Sequence, residues 1–242
     1  MLLIPISSPA CYGKLPFLGD FYQAGAGRDE TAVWAGRFDS FWETAGADIR
    51  PGSDPWCFTL APEVLFPGRH YIVGVMTVSE DRVGRPYPFV IWQKVADRAL
   101  RRSKLFGGPG ERHNWLFWLS RFLLIHSRAD NDSAAKTLRG FELELAALWK
   151  GCRQNWWAQF RRWSRRPGGG EPRYLLRALP ESDLEGTHFL PFNDWPDRLW
   201  TKQPAAYFWR QDHQGLYLDL VQSRKLTGDI MIRLFSGGKD GP

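Results

Sequence analysis

The sequence has few cysteines and no long apolar run, and both absences exclude classes of protein. Its three cysteines, Cys11, Cys57 and Cys152, lie far apart and share no CxxC spacing. This pattern is typical of reduced, buried thiols rather than of a disulfide framework or a zinc site. No segment approaches about 18 consecutive apolar residues, and the apolar N-terminus lacks a basic region and soon meets Pro5 and Pro9. We therefore expect a cytoplasmic protein that is neither exported nor inserted in a membrane.

The common catalytic and nucleotide-binding motifs are also missing. The chain has no GxSxG, no HExxH, no GxGxxG after a strand, no GxxxxGK[ST] and no protein-kinase catalytic set. The glycine-rich segment FGGPGER, residues 106–112, lacks the Walker lysine and does not lead from a buried strand into a helix. We therefore expect no enzymatic activity, no metal, no cofactor and no small-molecule substrate.

Aromatic and apolar residues are abundant. They include 13 tryptophans in an apolar fraction of 43%, enough for a sizeable core in a chain of 242 residues. We predict a single domain over residues 1–242, with an α/β core over 1–96, a helical segment over 97–170, and strands and a helix over 171–242 that complete it. The net charge of +6 permits acidic partners without requiring them.

Residues 71–95 form the stretch around which the rest is organised. Its two flanks are almost continuously apolar, so each predicts a central strand buried on both faces. Between them, residues 79–86 form a polar connection in which Gly84 favours a reverse turn. Asp81 there lies next to Arg82 and Arg85. A structural role is favoured, in which the aspartate caps backbone N–H groups and pairs with an arginine; a functional site is the alternative.

Other patterns predict the elements around this hairpin. Residues 10–20 indicate an edge strand and a tight turn whose two charges, Lys14 and Asp20, suggest a solvated local ion pair. Helical periodicity or strand-like composition marks the remaining elements. They are a helix over 29–47 capped by Asp29 or Thr31, a strand over 56–61, a mobile linker over 97–112, a helix capped by Asn114, a helix from 138 to 163, a strand over 174–178, a helical turn over 193–200, strands over 205–211 and 216–220, and a last helix after Thr227.

A basic segment lies at the end of the helix predicted from residue 138 to 163. Its arginines are Arg161, Arg162, Arg165 and Arg166, interleaved with Trp163 and followed by three glycines. Basic residues in a last helical turn favour the helix dipole, and glycine ends the helix, so a local structural explanation exists. The alternative is a patch that binds an acidic protein, a membrane surface or nucleic acid. We expect no nucleic-acid partner.

Five blocks of the chain together resemble a known family. They are CYGKLPFLGDF (11–21), FDSFW (38–42), WCFTLAP (56–62), GVMTVSEDRVGRPYPF (74–89) and AAYFW (205–209). In this order they resemble the TagF family of type VI secretion-associated proteins, also called ImpM. The resemblance is strongest between residues 11 and 92, and two of the blocks, YGKLP..GDF and S.DRVGR, are long and unusual in combination.

The resemblance implies both a fold and a role. The fold is an α/β layered sandwich with a central, largely antiparallel (mixed) sheet flanked by helices. The role is that of a bacterial cytoplasmic accessory factor that represses type VI secretion after translation, acting with a forkhead-associated-domain scaffold protein. Some relatives carry a fused phosphatase domain, for which this chain has no room, so phosphatase activity is not expected.

Two function hypotheses follow. The first is a non-enzymatic regulator that acts by binding a protein partner. The alternative is an enzyme or small-molecule-binding protein that uses Asp81, Arg82 and Arg85 with Lys14. For both, we predict that some of the charged residues in the family-like blocks meet in space, forming either a structural ion cluster or a recognition surface. These residues are Lys14, Asp20, Asp81, Arg82 and Arg85.

Overall fold

The computed structural model describes residues 6–45, 54–102, 114–128, 137–164, 205–211 and 217–235. These residues form strands and helices in alternating groups along the chain. In chain order they are β1 (Ala10–Gly13), β2 (Tyr22–Ala24), α1 (Arg28–Ala45), β3 (Trp56–Leu60), β4 (His70–Glu80), β5 (Pro86–Ala96), α2 (Asp97–Arg102), α3 (Trp115–Ser127), α4 (Leu138–Ser164), β6 (Ala206–Gln211), β7 (Tyr217–Ser223) and α5 (Gly228–Phe235).

The described strands form one seven-stranded sheet in the order β2-β1-β5-β4-β3-β6-β7, and all of their pairings are antiparallel. The hairpin of β4 and β5 lies in its middle and pairs from His70 with Ala96 to Glu80 with Pro86. Because both strands have neighbours on either side and helices over both faces, nearly every residue of the hairpin is buried. This is the central apolar hairpin that the sequence predicts.

Helices cover both faces of this sheet. On one face, Val73 and Ile91 pack in a common apolar cluster with Leu119 of α3 and Phe141 of α4. On the other face, the cluster joins strand residues to α1 and α5; its members include Ile72, Met76, Val90, Trp34, Phe38, Phe41 and Met231. Alternate residues of each strand thus enter different cores, as the two-residue period of a strand requires. The α/β layered sandwich is confirmed.

The helix ends show which capping predictions were right. Asn114 caps α3, because its side chain accepts a hydrogen bond from the N–H of Phe117. For α1, the prediction of Asp29 or Thr31 as cap was wrong: the helix begins at Arg28, so both residues lie inside it. The Thr31 hydroxyl donates to the carbonyl of Gly27 instead.

Two further predictions need correction. Strand β1 is not an edge strand, because the short strand β2 pairs with its outer side while β5 pairs with its inner side. The segment 97–112 is not wholly a linker, since residues 97–102 form α2. The strand predicted over 174–178 and the helical turn over 193–200 lie outside the described residues. Among the described helices, none has the length and apolar character that crossing a bilayer requires.

Candidate functional site

The turn between β4 and β5 is closed by its own backbone. The N–H of Asp81 donates to the carbonyl of Arg85, and the N–H of Gly84 donates to the carbonyl of Asp81. Gly84 has a φ of 80°, a left-handed conformation that glycine adopts without steric cost. The turn therefore follows directly from the sequence of the polar connection.

The carboxylate of Asp81 is the centre of this turn. Its Oδ1 accepts the N–H groups of Val83 at 3.1 Å and Arg85 at 2.9 Å. Its Oδ2 accepts from Nε of Arg85 at 2.7 Å and pairs with Nζ of Lys14 at 3.1 Å. The side chain is fully shielded from solvent. Its acceptor positions are thus occupied by donors from the described part of the same chain.

These contacts set the ionisation of Asp81. Burial alone raises the pKa of a carboxyl, because it disfavours the charged form. Here the hydrogen bonds from the backbone of Arg85, from Lys14, from the side chain of Arg85 and from the backbone of Val83 outweigh burial and hold the pKa of Asp81 well below its usual range. Asp81 is therefore a permanent anion at neutral pH.

Lys14 reaches this carboxylate from the end of β1. Gly13 precedes it with a φ of 135°, and a Cβ at Gly13 would lie 2.2 Å from the carbonyl oxygen of Pro88. Only glycine lets β1 approach β5 so closely, and this approach brings Lys14 to the turn. The buried ammonium also lies 5.2 Å from the ring centre of Phe21 and 5.9 Å from that of Tyr87. We call Lys14, Asp81 and Arg85 the ion cluster.

The other two predicted residues lie beside the ion cluster rather than in it. Arg82 is exposed, and its backbone N–H donates to the carbonyl of Leu18 at 2.8 Å. Its guanidinium lies over Gly19, whose carbonyl accepts from Nη2 of Arg85 at 3.1 Å. The exposed Asp20 accepts only the N–H of Phe21 among the described residues. The predicted local pair of Lys14 with Asp20 was therefore wrong, since Lys14 pairs with Asp81.

The predicted basic segment falls largely outside the part of the chain that is described. Arg161 and Arg162 lie near the end of α4, whose helical backbone is continuous to Ser164. Their side chains are not among those described, and Arg165 and Arg166 lie beyond the described residues. The segment is thus helical as predicted up to Ser164, and its role stays a prediction.

Two exposed apolar side chains beside the ion cluster were missed by sequence reasoning. Phe21 is 47% exposed and Val83 is 67% exposed. The signal for Val83 was present, because it is the apolar residue inside a polar turn. Phe21 carried no such signal, since Tyr12 and Tyr87, whose rings it contacts, come from strands β1 and β5.

Buried groups elsewhere are engaged in structural contacts. Burial raises the pKa of the Cys57 thiol to about 12 and that of Cys11 still further, so neither is a ready nucleophile at neutral pH. The buried His126 pairs with Glu144 at 2.9 Å and is surrounded by the rings of Phe17, Phe122 and Phe141. Among the described residues, no group of His, Cys, Asp and Glu has an arrangement suited to a metal ion.

Comparisons with known proteins agree with the motifs and with the fold. A family model described as the TagF N-terminal domain, type VI secretion system-associated, matches residues 10–139, which is more than half of the chain. The crystal structure of PA0076 from Pseudomonas aeruginosa PAO1 is similar, with a TM-score of 0.59, 20% sequence identity and 97% of each chain covered. At this identity the likeness shows a shared fold. A comparison with curated proteins found no match.

Proposed function

Because the chain belongs to the TagF family of type VI secretion-associated proteins, we propose that it is a non-enzymatic, cytoplasmic regulator of that system. In this proposal it represses secretion after translation by binding a scaffold component that carries a forkhead-associated domain. The family match over residues 10–139 is the observation that carries the proposal. The association with type VI secretion comes from the match itself, whereas repression and the partner are the proposed steps.

The geometry of the ion cluster supports binding over catalysis. A general acid or base must reach the substrate, and its pKa works best near the operating pH. Asp81 meets neither condition, because its carboxylate is shielded from solvent and its pKa lies well below the usual range. The ion cluster is therefore better suited to holding a surface in place than to performing acid-base chemistry.

A secretion assay tests the proposed repression. Deleting the gene should increase the amount of type VI substrate released under conditions in which the parent strain secretes little. Restoring the gene from a second site should return secretion to the parent level, which excludes effects on neighbouring genes. Secretion no higher in the deletion strain than in the parent would contradict repression.

A capture experiment tests the proposed partner separately. The full chain, tagged and expressed at its native level, should recover the forkhead-associated-domain scaffold protein from cell extract. Purified scaffold protein should then bind the purified chain in isothermal titration calorimetry. Repression without such binding would retain the regulatory role and remove the proposed mechanism.

A further inference from the structure

We propose that Phe21, Arg82 and Val83 form a docking surface for a protein segment in which an apolar side chain lies next to a carboxylate. We call these three residues the tip surface. This inference rests on the proposed function, because it assigns the place where the chain contacts its partner. It goes further by naming the residues and the chemistry that they recognise.

The tip surface contains two exposed apolar side chains. Phe21 and Val83 are 47% and 67% exposed, although most large apolar side chains of the described residues are buried. Single exposed apolar residues are ordinary, but here two belong to adjoining segments. The segments meet where the N–H of Arg82 donates to the carbonyl of Leu18 and where Arg85 donates to that of Gly19.

Contacts with neighbouring residues hold the tip surface in place. Hydrogen bonds from Val83 and Arg85 to the buried Asp81 fix the turn that carries Val83. Ring contacts with Tyr12 and Tyr87 hold Phe21, whose ring centre lies 4.8 Å from that of Tyr87. Groups that are ordered before binding lose little conformational entropy when a partner arrives. The backbone at Val83 and the ring of Phe21 are thus held in place before a partner arrives.

Arg82 gives the tip surface a positive charge. In the part of the chain that the structure describes, the Arg82 guanidinium has no carboxylate or carbonyl partner, whereas Arg85 already uses Nε and Nη2. A guanidinium presents a planar fork of donors that matches one carboxylate. In the sequence, Asp20 is next to Phe21 and Glu80 lies two positions before Arg82. Their negative charges would repel a long acidic run or a nucleic acid. The surface therefore fits a segment with a single carboxylate beside its apolar residue.

Matched variants of the full chain test this assignment. The probe is the purified forkhead-associated-domain scaffold protein, with affinity measured by calorimetry. Val83→Asp and Arg82→Glu should each weaken binding at least about tenfold, as expected for central interface residues. Leu143→Asp and Arg139→Glu are the controls, since Leu143 is 61% exposed and Arg139 is exposed on the same helix, α4. Both controls should bind like the unaltered chain.

Thermal unfolding separates recognition from folding. Arg82→Glu should leave the midpoint within about 2 °C of the parent, because its guanidinium has no partner among the described residues. Arg82→Lys should lose less affinity than Arg82→Glu, because it keeps the charge but not the fork. Folded variants of Val83 and Arg82 that bind with unchanged affinity would overturn the tip surface and leave the proposed function standing.

Two other results would also overturn the assignment. If the unaltered chain does not bind the scaffold protein, the proposed partner and the tip surface fall together. If sedimentation shows that the chain alone forms a dimer that Val83→Asp dissociates, the surface joins two copies of this protein instead. A monomer with a partner affinity that depends on both Val83 and Arg82 is the result that supports the inference.

Discussion

One ion pair lies beside each end of strand β5, and the two pairs differ in their access to water. At the start of β5, the carboxylate of Asp81 has a side-chain exposure of 0% and Lys14 has one of 10%. Near its end, Lys94 pairs with Glu30 of α1, and their side chains are 37% and 23% exposed. The first pair joins the turn between β4 and β5 to the residue after β1, and the second joins β5 to α1, but only the first requires burial of a charge.

This difference determines what each pair contributes to folding. A charge in water keeps its hydration, so an exposed pair stabilises the fold by only a few tenths of a kcal/mol. A buried charge has lost its hydration and depends on the groups around it. The ion cluster is therefore less a source of net stability than a set of contacts that hold one turn in one conformation. Substitutions at the two ends of β5 should therefore differ in their effect on stability.

Removal of the buried carboxylate should have the largest effect. Asp81→Ala leaves the buried ammonium of Lys14 without its partner and removes the acceptor of two turn N–H groups. We expect the free energy of unfolding to fall by about 3 to 5 kcal/mol, the range for breaking a buried pair. Urea unfolding followed by tryptophan fluorescence measures this loss. The control is Asp20→Ala, an exposed carboxylate in the neighbouring segment, which should change stability by less than about 0.5 kcal/mol.

Removal of one cation from the ion cluster should have a smaller effect. Lys14→Met replaces the ammonium near the rings of Phe21 and Tyr87 by an apolar group and removes one of the donors to Asp81. The donors from Val83 and Arg85 remain, so we expect a loss of about 1 to 3 kcal/mol, typical of an incompletely satisfied buried group. The same urea titration measures it. A loss equal to that of Asp81→Ala would mean that Lys14 alone determines the stability of the turn.

Acid should reduce the contribution of Asp81. Its pKa in the folded protein lies below the unfolded value of about 3.9, so its stabilisation is complete above that pH and declines as pH falls towards the folded pKa. The stability gap between the parent and Asp81→Ala should therefore be constant from pH 7 to 5 and narrow by roughly 0.5 to 1 kcal/mol at pH 3.5. A gap that widened on acidification would show that the carboxyl is not held ionised.

The sequence alone predicted the central hairpin and the local contacts within its turn. The apolar flanks of residues 71–95 predicted the central hairpin, and the polar turn predicted that Asp81 caps backbone N–H groups and pairs with an arginine, which the structure identifies as Arg85. Both are local: an aspartate followed by a glycine three positions later closes a turn from residues close in the chain. Contacts between residues so close in the chain can be predicted without a structure.

Contacts between residues far apart in the chain could not be predicted from the spacing of residues. Lys14 meets Asp81 because β1 pairs with β5 in the register that places Gly13 opposite Phe89. The sequence instead suggested Asp20, its neighbour along the chain, because a pattern reports nearby partners only. The three-residue strand β2 was likewise too short to recognise by alternation, so β1 was taken for an edge. Registers and short edge strands depend on the whole sheet.

A lysine-to-methionine substitution at the other end of β5, at Lys94, should have the smallest effect on stability. Lys94→Met removes a pair that water already reaches, together with the ammonium that lies 5.7 Å from the ring centre of Phe66. We expect a loss of less than about 0.5 kcal/mol at low salt, and none in about 1 M NaCl, where the screening length falls to about 3 Å. The loss in Lys14→Met should persist at both salt concentrations, because solvent ions do not reach the buried carboxylate. Equal salt dependence of the two variants would show that the two ends of β5 are electrostatically alike, and burial would no longer explain why only one of them fixes a turn.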